Sequence, residues 1–255
     1  MTKVLKKADK NKELINLPDD GGNDFGRISS DDVAMPMLVI LQDLSRQVKP
    51  RDSEFNPDAK VGMILNSVTG EVFPGDGTLH VVPCALVKTY VEWVPRTQGG
   101  GFVASHKDDV AFNTATRTDK IWVLPNGNEI APTMMHYGLV VTNGHKFPAV
   151  IPMSKTQLRQ SRKWIARMQM QSMVTSDGDR SRIFHYKYPL ITVVESKDQY
   201  SWYGWRIGES VSLKGEQLCT EAQLFTNSLA SGAAASVDMS ALNQAPDLEI
   251  HNDVL

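Results

Sequence analysis

The chain has 255 residues, 41% hydrophobic and 22% charged with a formal net charge of −2, the composition of a globular protein of one or two domains at roughly 150 residues each. Its longest apolar runs, such as Met37–Leu41 and Leu139–Val141, fall far short of the roughly 18 residues a membrane-spanning helix requires, so a transmembrane helix and a membrane partner are excluded. Cys84 and Cys219 form no CxxC pair, which excludes a disulfide scaffold and a cysteine-based zinc site, and the lysine-rich start lacks an apolar stretch of the export type, so the expected place is a reducing cytoplasm.

Residues 1–27 combine Lys3, Lys6, Lys7, Lys10 and Lys12 with Pro18-Asp19-Asp20-Gly21-Gly22 and few large apolar groups. Such a segment cannot bury enough surface to offset chain entropy and is expected to be a flexible basic arm. A single folded domain is expected over 28–231. It opens where Ser29, Ser30 and Asp31 can cap a short element and Met35–Leu41 can pack as a strand or a helix, a choice periodicity alone does not make.

From Val61 the pattern becomes strands separated by turn dipeptides. Thr69-Gly70, Asn126-Gly127 and Asn143-Gly144 each lie between apolar or β-branched runs and predict hairpins in series. Leu79–Pro95 is longer than a usual strand, and Pro83 within it predicts an edge position or a bend.

Lys155–Met173 contains neither Gly nor Pro and follows Ser154, a plausible N-cap, so one long helix is predicted there. At about 100° per residue Leu158, Trp164, Ile165 and Met168 share one side, while Lys155, Arg159, Arg162, Lys163 and Arg167 gather in an arc of about 140°. After Thr175–Asp179, two further strands, Ile183–Glu195 and Tyr200–Ile207, are joined by Ser196-Lys197-Asp198-Gln199 as a closing hairpin. Lys214–Ser231 predicts a second helix with Leu218, Ala222, Phe225 and Leu229 on one stripe, and 232–255 reads as a flexible acidic tail. The fold class is therefore mainly β with minor α. Several strands, one helix and a closing hairpin suggest an OB-like, partly open barrel with strands inserted over Gly99–Ile151; a β-sandwich with an appended helix is the alternative.

Charge is segregated. Lys155–Lys187 holds eight cations and two anions, 8 − 2 = +6, whereas Ile207–Leu255 holds one cation and seven anions, 1 − 7 = −6. Solvated faces explain many such runs, but a concentrated basic stretch also attracts polyanions. No motif supports catalysis. Gly138–Lys146 has the wrong spacing for a phosphate loop, Gly99-Gly100-Gly101 reads as a loop between strands, and the six histidines form no metal-ligand pair, so no cofactor, metal or catalytic residue is assigned. The remaining enzyme reading is a nuclease with Glu92, Asp108 and Asp109 as metal ligands.

Aromatic residues carry the most information. Seven of the nineteen fall between Phe184 and Trp205, beside the basic helix. Single-stranded nucleic acid is held by rings that stack on bases next to a cationic groove. Phe184, Tyr186 and Tyr188 alternate on one strand face and are assigned to the core, with base stacking as the alternative. Tyr200, Trp202 and Tyr203, interrupted by Gln199, Ser201 and Gly204, are expected to be exposed. Arg182, Lys187 and Arg206 extend the basic surface, and Lys88, Tyr90, Trp93 and Arg96 form a second aromatic and basic strand expected to line the same groove.

Met35-Pro36-Met37-Leu38 with Leu41-Gln42 and Leu44-Ser45, Tyr90-Val91-Glu92-Trp93-Val94-Pro95-Arg96 followed by Gly99-Gly100-Gly101, the strand order and the acidic end together resemble a single-stranded DNA-binding protein of a tailed bacteriophage. The resemblance implies a non-enzymatic protein that coats single-stranded DNA in replication or recombination. It also implies an acidic C-terminus that occupies the groove without DNA and recruits a polymerase or helicase. Asp247–Leu255 is acidic but lacks the terminal aromatic common in that family. A phage structural or assembly protein is the alternative of a different class.

Overall fold

The computed structural model describes residues 33–119, 121–142, 145–173, 181–232, 234 and 236–244. The strands are β1 (Ala34–Met35), β2 (Leu38–Ile40), β3 (Ile64–Asn66), β4 (Val72–Phe73), β5 (Asp76–Trp93), β6 (Phe102–His106), β7 (Thr116–Thr118), β8 (Ile121–Val123), β9 (Glu129–Thr142), β10 (His145–Ser154), β11 (Tyr186–Lys197), β12 (Tyr200–Ile207), β13 (Val211–Ser212) and β14 (Ser236–Val237). Two α-helices accompany them, α1 (Leu158–Met173) before the β11–β12 hairpin and α2 (Gln217–Ser231) after it. The chain is thus mainly β with minor α, and the order of helix, hairpin and helix matches the sequence pattern. The sheets are open and do not close into a barrel.

Two long strands organise the principal sheet, whose path is β12-β11-β5-β9-β8-β7 with β6, β10 and β13 attached to β5, β9 and β11. β5 and β9 pair antiparallel from His80 opposite Val141 to Trp93 opposite Glu129. The other edge of β5 is shared, with β11 at Asp76–Val81 and β6 at Tyr90–Trp93. Pro83 falls between these two stretches, where a missing N–H breaks no ladder. The register shifts between Pro83 and Ala85, so the bend read from the proline is present. Gly138 faces Pro83 because a Cβ there would lie 2.6 Å from the Val82 carbonyl oxygen. α2 runs beside this stretch, and its Thr226 hydroxyl donates to the Cys84 carbonyl at 3.4 Å.

The turn dipeptides at 69–70 and 126–127 join β3 to β4 and β8 to β9 as antiparallel pairs. β9 and β10 also pair antiparallel, with His145 opposite Thr142; Asn143-Gly144 lies outside the described residues. So do residues 1–32, which hold the basic arm and the capping residues Ser29, Ser30 and Asp31, and the 175–179 loop.

α1 is preceded by a 3-10 turn, Lys155–Gln157, and Ser154 makes no side-chain cap. Trp164 and Met168 seat α1 on a core of Val81, Val140, Ile151, Tyr188, Leu190 and Trp205. α2 buries Ala222 against Val82, Cys84, Phe184 and Leu213, with Leu218, Phe225 and Leu229 alongside, the stripe its sequence predicts. Gly232 ends it in the left-handed region at φ 74°, as a C-terminal glycine does without a Cβ penalty.

Two expectations are corrected. Phe184 does not share a strand face with Tyr186 and Tyr188, because Ile183–His185 is a 3-10 turn and β11 starts at Tyr186; Phe184 packs under α2 whereas Tyr188 packs under α1. The segment from 232 is not all tail, because β14 pairs in parallel with β1 and Ala241 and Leu242 are buried with Met35, Met37 and Leu65. The acidic residues Asp247, Glu249 and Asp253 lie outside the described residues.

Candidate nucleic-acid interface

β12 is a sheet edge, and an open edge exposes unpaired N–H and C=O groups. Side-chain amides close it here. Gln42 donates Nε2–H to the Tyr203 carbonyl at 2.8 Å and accepts the Tyr203 N–H at 2.9 Å, as a neighbouring peptide would. Gln157 accepts the Trp205 N–H at 2.8 Å. Arg167 donates to the Gly208 carbonyl at 2.6 Å and lies 4.0 Å from Glu209. These contacts and the Trp164 side of α1 fix the basic helix against the closing hairpin.

Arg167 is therefore a half-buried clamp, which corrects its placement among the free cations. Lys155 is also half-buried, in the turn before α1, while Arg159, Arg162 and Lys163 are exposed. On β11 and β12, directly opposed residues share a face. Lys197 faces Tyr200, Glu195 faces Trp202, Val193 faces Gly204, and Ile191 faces Arg206. Tyr200 and Arg206 are exposed on that face.

Trp202 and Tyr203 are not exposed as expected. Trp202 retains 9% of its surface and donates its indole N–H to Glu195 at 3.1 Å. Tyr203 points to the other face, packs on the α1 core, and lies over Gly62, where any side chain would collide with its ring. The polar neighbours do not report exposure, because Ser201 shares the face of Tyr203 and Gly204 that of Trp202, and both rings are covered by partners remote in sequence.

Glu195 was not singled out by sequence, since a Glu in a strand beside a turn is unremarkable. Its carboxyl is folded over Gly204, where a Cβ would lie 2.8 Å from the Glu195 carboxyl carbon and 2.7 Å from Gln157 Nε2. Burial raises its pKa, while the Trp202 hydrogen bond and the charges of Arg159 and Lys163 oppose that rise. The carboxylate therefore stands within electrostatic reach of the α1 cations. Arg182 is exposed before β11, and Lys187 is half-buried opposite Val211.

The second aromatic strand does not join this surface. β11 pairs with the first part of β5, whereas Lys88, Tyr90 and Trp93 lie in its last part, against β9 and β6. Tyr90 is buried and stacks on Phe112 at 4.8 Å, and Phe112 lies 4.9 Å from Trp122. Lys88 sits 4.8 Å above Tyr90 and Arg117 6.0 Å from Trp122. Trp93 meets Phe102 edge-on, and Arg96 is exposed beside Gly100. Tyr90, Phe112 and Trp122 form the core of a small lobe with Leu124 and Ile130, and Trp93 and Phe102 pack beside Met35, Met37 and Val91, rather than lining one wall of the hairpin groove. The nuclease ligand set is not assembled either. Glu92 accepts hydrogen bonds from Asn126 at 3.0 Å and Asn128 at 2.6 Å and pairs with His106 at 2.8 Å. Asp108 accepts the Val110 N–H at 3.1 Å. No group of three or more His, Cys, Asp or Glu suited to a metal occurs among the described residues, and no helix among them is long and apolar enough to cross a membrane.

Comparison with known proteins finds one family model, described as Pam3 phage gp34-like protein, which matches residues 6–235. No curated protein and no solved structure matches.

Proposed function

The chain belongs to the Pam3 phage gp34-like protein family, and for this phage protein we propose a non-enzymatic role, the binding of single-stranded DNA in replication or recombination within the host cytoplasm. The observation that carries the proposal is the docking of α1 beside the closing hairpin. That docking brings exposed Arg159 and Lys163 within electrostatic reach of Glu195, which shares its strand face with exposed Tyr200 and Arg206, and exposed Arg162 lies on the same helix. Phosphates would take the cations and a base would stack on Tyr200, the division of labour by which single strands are held. Trp202, buried on the same face, holds Glu195 through its indole N–H. The acidic end, with Asp247, Glu249 and Asp253, is the segment assigned to a polymerase or helicase partner.

The test is fluorescence anisotropy with labelled single-stranded oligonucleotides and matched duplex over a salt series. With four phosphate contacts, log K should fall against log salt with a slope of about −3 for single strands. Arg159→Glu combined with Lys163→Glu should flatten that slope and weaken binding at least about tenfold at low salt. Absence of binding, or tighter binding of duplex, would refute the proposal.

A further inference from the structure

Glu195 is a carboxylate set among the cations of a surface assigned to a polyanion. Its position is built. Trp202 donates to it at 3.1 Å, and the absent side chain of Gly204 leaves room for the carboxyl to fold over the strand. Arg159 and Lys163 act on it electrostatically, while Tyr200 and Arg206 share its face. A phosphate is repelled from this point by like charge. A ligand group that approaches it must donate hydrogen bonds, because an ionised carboxyl only accepts them.

Resting on the reading of this face as a single-strand site, we infer that Glu195 is a specificity-determining residue that accepts hydrogen bonds from the exocyclic amine of a base. The phosphates on either side lie on Arg159, Lys163 and Arg206. Cytosine offers its N4 amine to a carboxylate, whereas thymine presents its O4 acceptor at the same place. The stacked base beside Tyr200 is then preferentially an amine-bearing one, cytosine ahead of thymine.

The experiment measures affinities of labelled oligo-dC and oligo-dT of equal length at neutral pH, for the full chain and for Glu195→Gln. Glutamine keeps an acceptor for Trp202 and adds a donor, so the variant tolerates both bases; its fold is checked by circular dichroism. The expected result is a preference for oligo-dC of about tenfold in the full chain, reduced to less than about twofold in the variant by a gain in oligo-dT affinity. Equal binding of both oligonucleotides by the unaltered chain, or a dC preference that survives Glu195→Gln, overturns the inference and leaves single-strand binding standing. Failure to bind either oligonucleotide refutes the parent reading as well.

Discussion

Acid should destabilise this fold through one imidazole. His136, 1% exposed in β9, bonds through Nε2 to the Ser161 hydroxyl at 2.8 Å and stacks on Trp164 at 4.6 Å. Its Nδ1 has no partner. Burial lowers its pKa from 6.5 to about 3, because a charged ring cannot be solvated there. With the folded value below the unfolded one, the unfolded chain takes up the proton first. Stability is then full above pH 6.5 and declines as pH falls from 6.5 toward 3. At about pH 4.5, two units below the unfolded value, the loss from this group is about 3 kcal/mol at 1.36 kcal/mol per unit. Urea unfolding at about pH 7.5 and pH 4.5 compares the full chain with His136→Phe paired with Ser161→Ala, which keeps the stacked ring and removes the orphaned hydroxyl. Shifts from Glu92, lowered by its Asn and His partners against burial, and from Glu195 are common to both proteins and cancel in the difference. The variant should lose about 3 kcal/mol less than the full chain between the two pH values. Equal losses, or a His136 ring resonance that titrates in the folded chain above pH 4.5, would refute a sealed, neutral imidazole.

Two further outcomes follow from the hairpin. Trp202→Ala should destabilise by about 3–5 kcal/mol in urea unfolding, as loss of a buried aromatic does; a cost under about 1 kcal/mol would return the ring to the exposed surface. Gln42→Ala removes both bonds to the Tyr203 peptide and should cost about 2 kcal/mol, with faster amide hydrogen exchange at Tyr203. Unchanged exchange there would show that the edge is closed by something else.

Local signals were legible because their causes are local. The turn dipeptides at 69–70 and 126–127, the bend at Pro83, the apolar side of α1 and the stripe of α2 each depend on a few adjacent residues, and each appears in the fold. Exposure of individual aromatics was not legible, because it is decided by partners remote in sequence. Tyr203 is oriented by Gln42 and by the room over Gly62, and Tyr90 is covered by Phe112. The expected strand starts three residues early, at Ile183 rather than Tyr186, which takes Phe184 off the face of Tyr186 and Tyr188 and puts it under α2. The stretch after α2 hid Ala241 and Leu242 because two adjacent apolar side chains between an Ala/Ser run and the acidic end carry no periodicity.

The pairing of Trp93 with Glu129 makes β5 and β9 the arms of one hairpin, and everything from Val94 to Asn128 is carried at its tip. That excursion has its own small core of Tyr90, Leu124 and Ile130 with Phe112 and Trp122, apart from the side chains that seat α1. The part of it that holds Phe112 and Trp122 can therefore change in length, whereas Phe102 is tied to the main body by its N–H to Asn243 at 2.6 Å and by packing beside Met35 and Met37. The cost of altered loop length grows only slowly, and the remodelled segment stands at the surface, where insertions are tolerated. Changes of length at this tip should accordingly leave the α1 hairpin end intact.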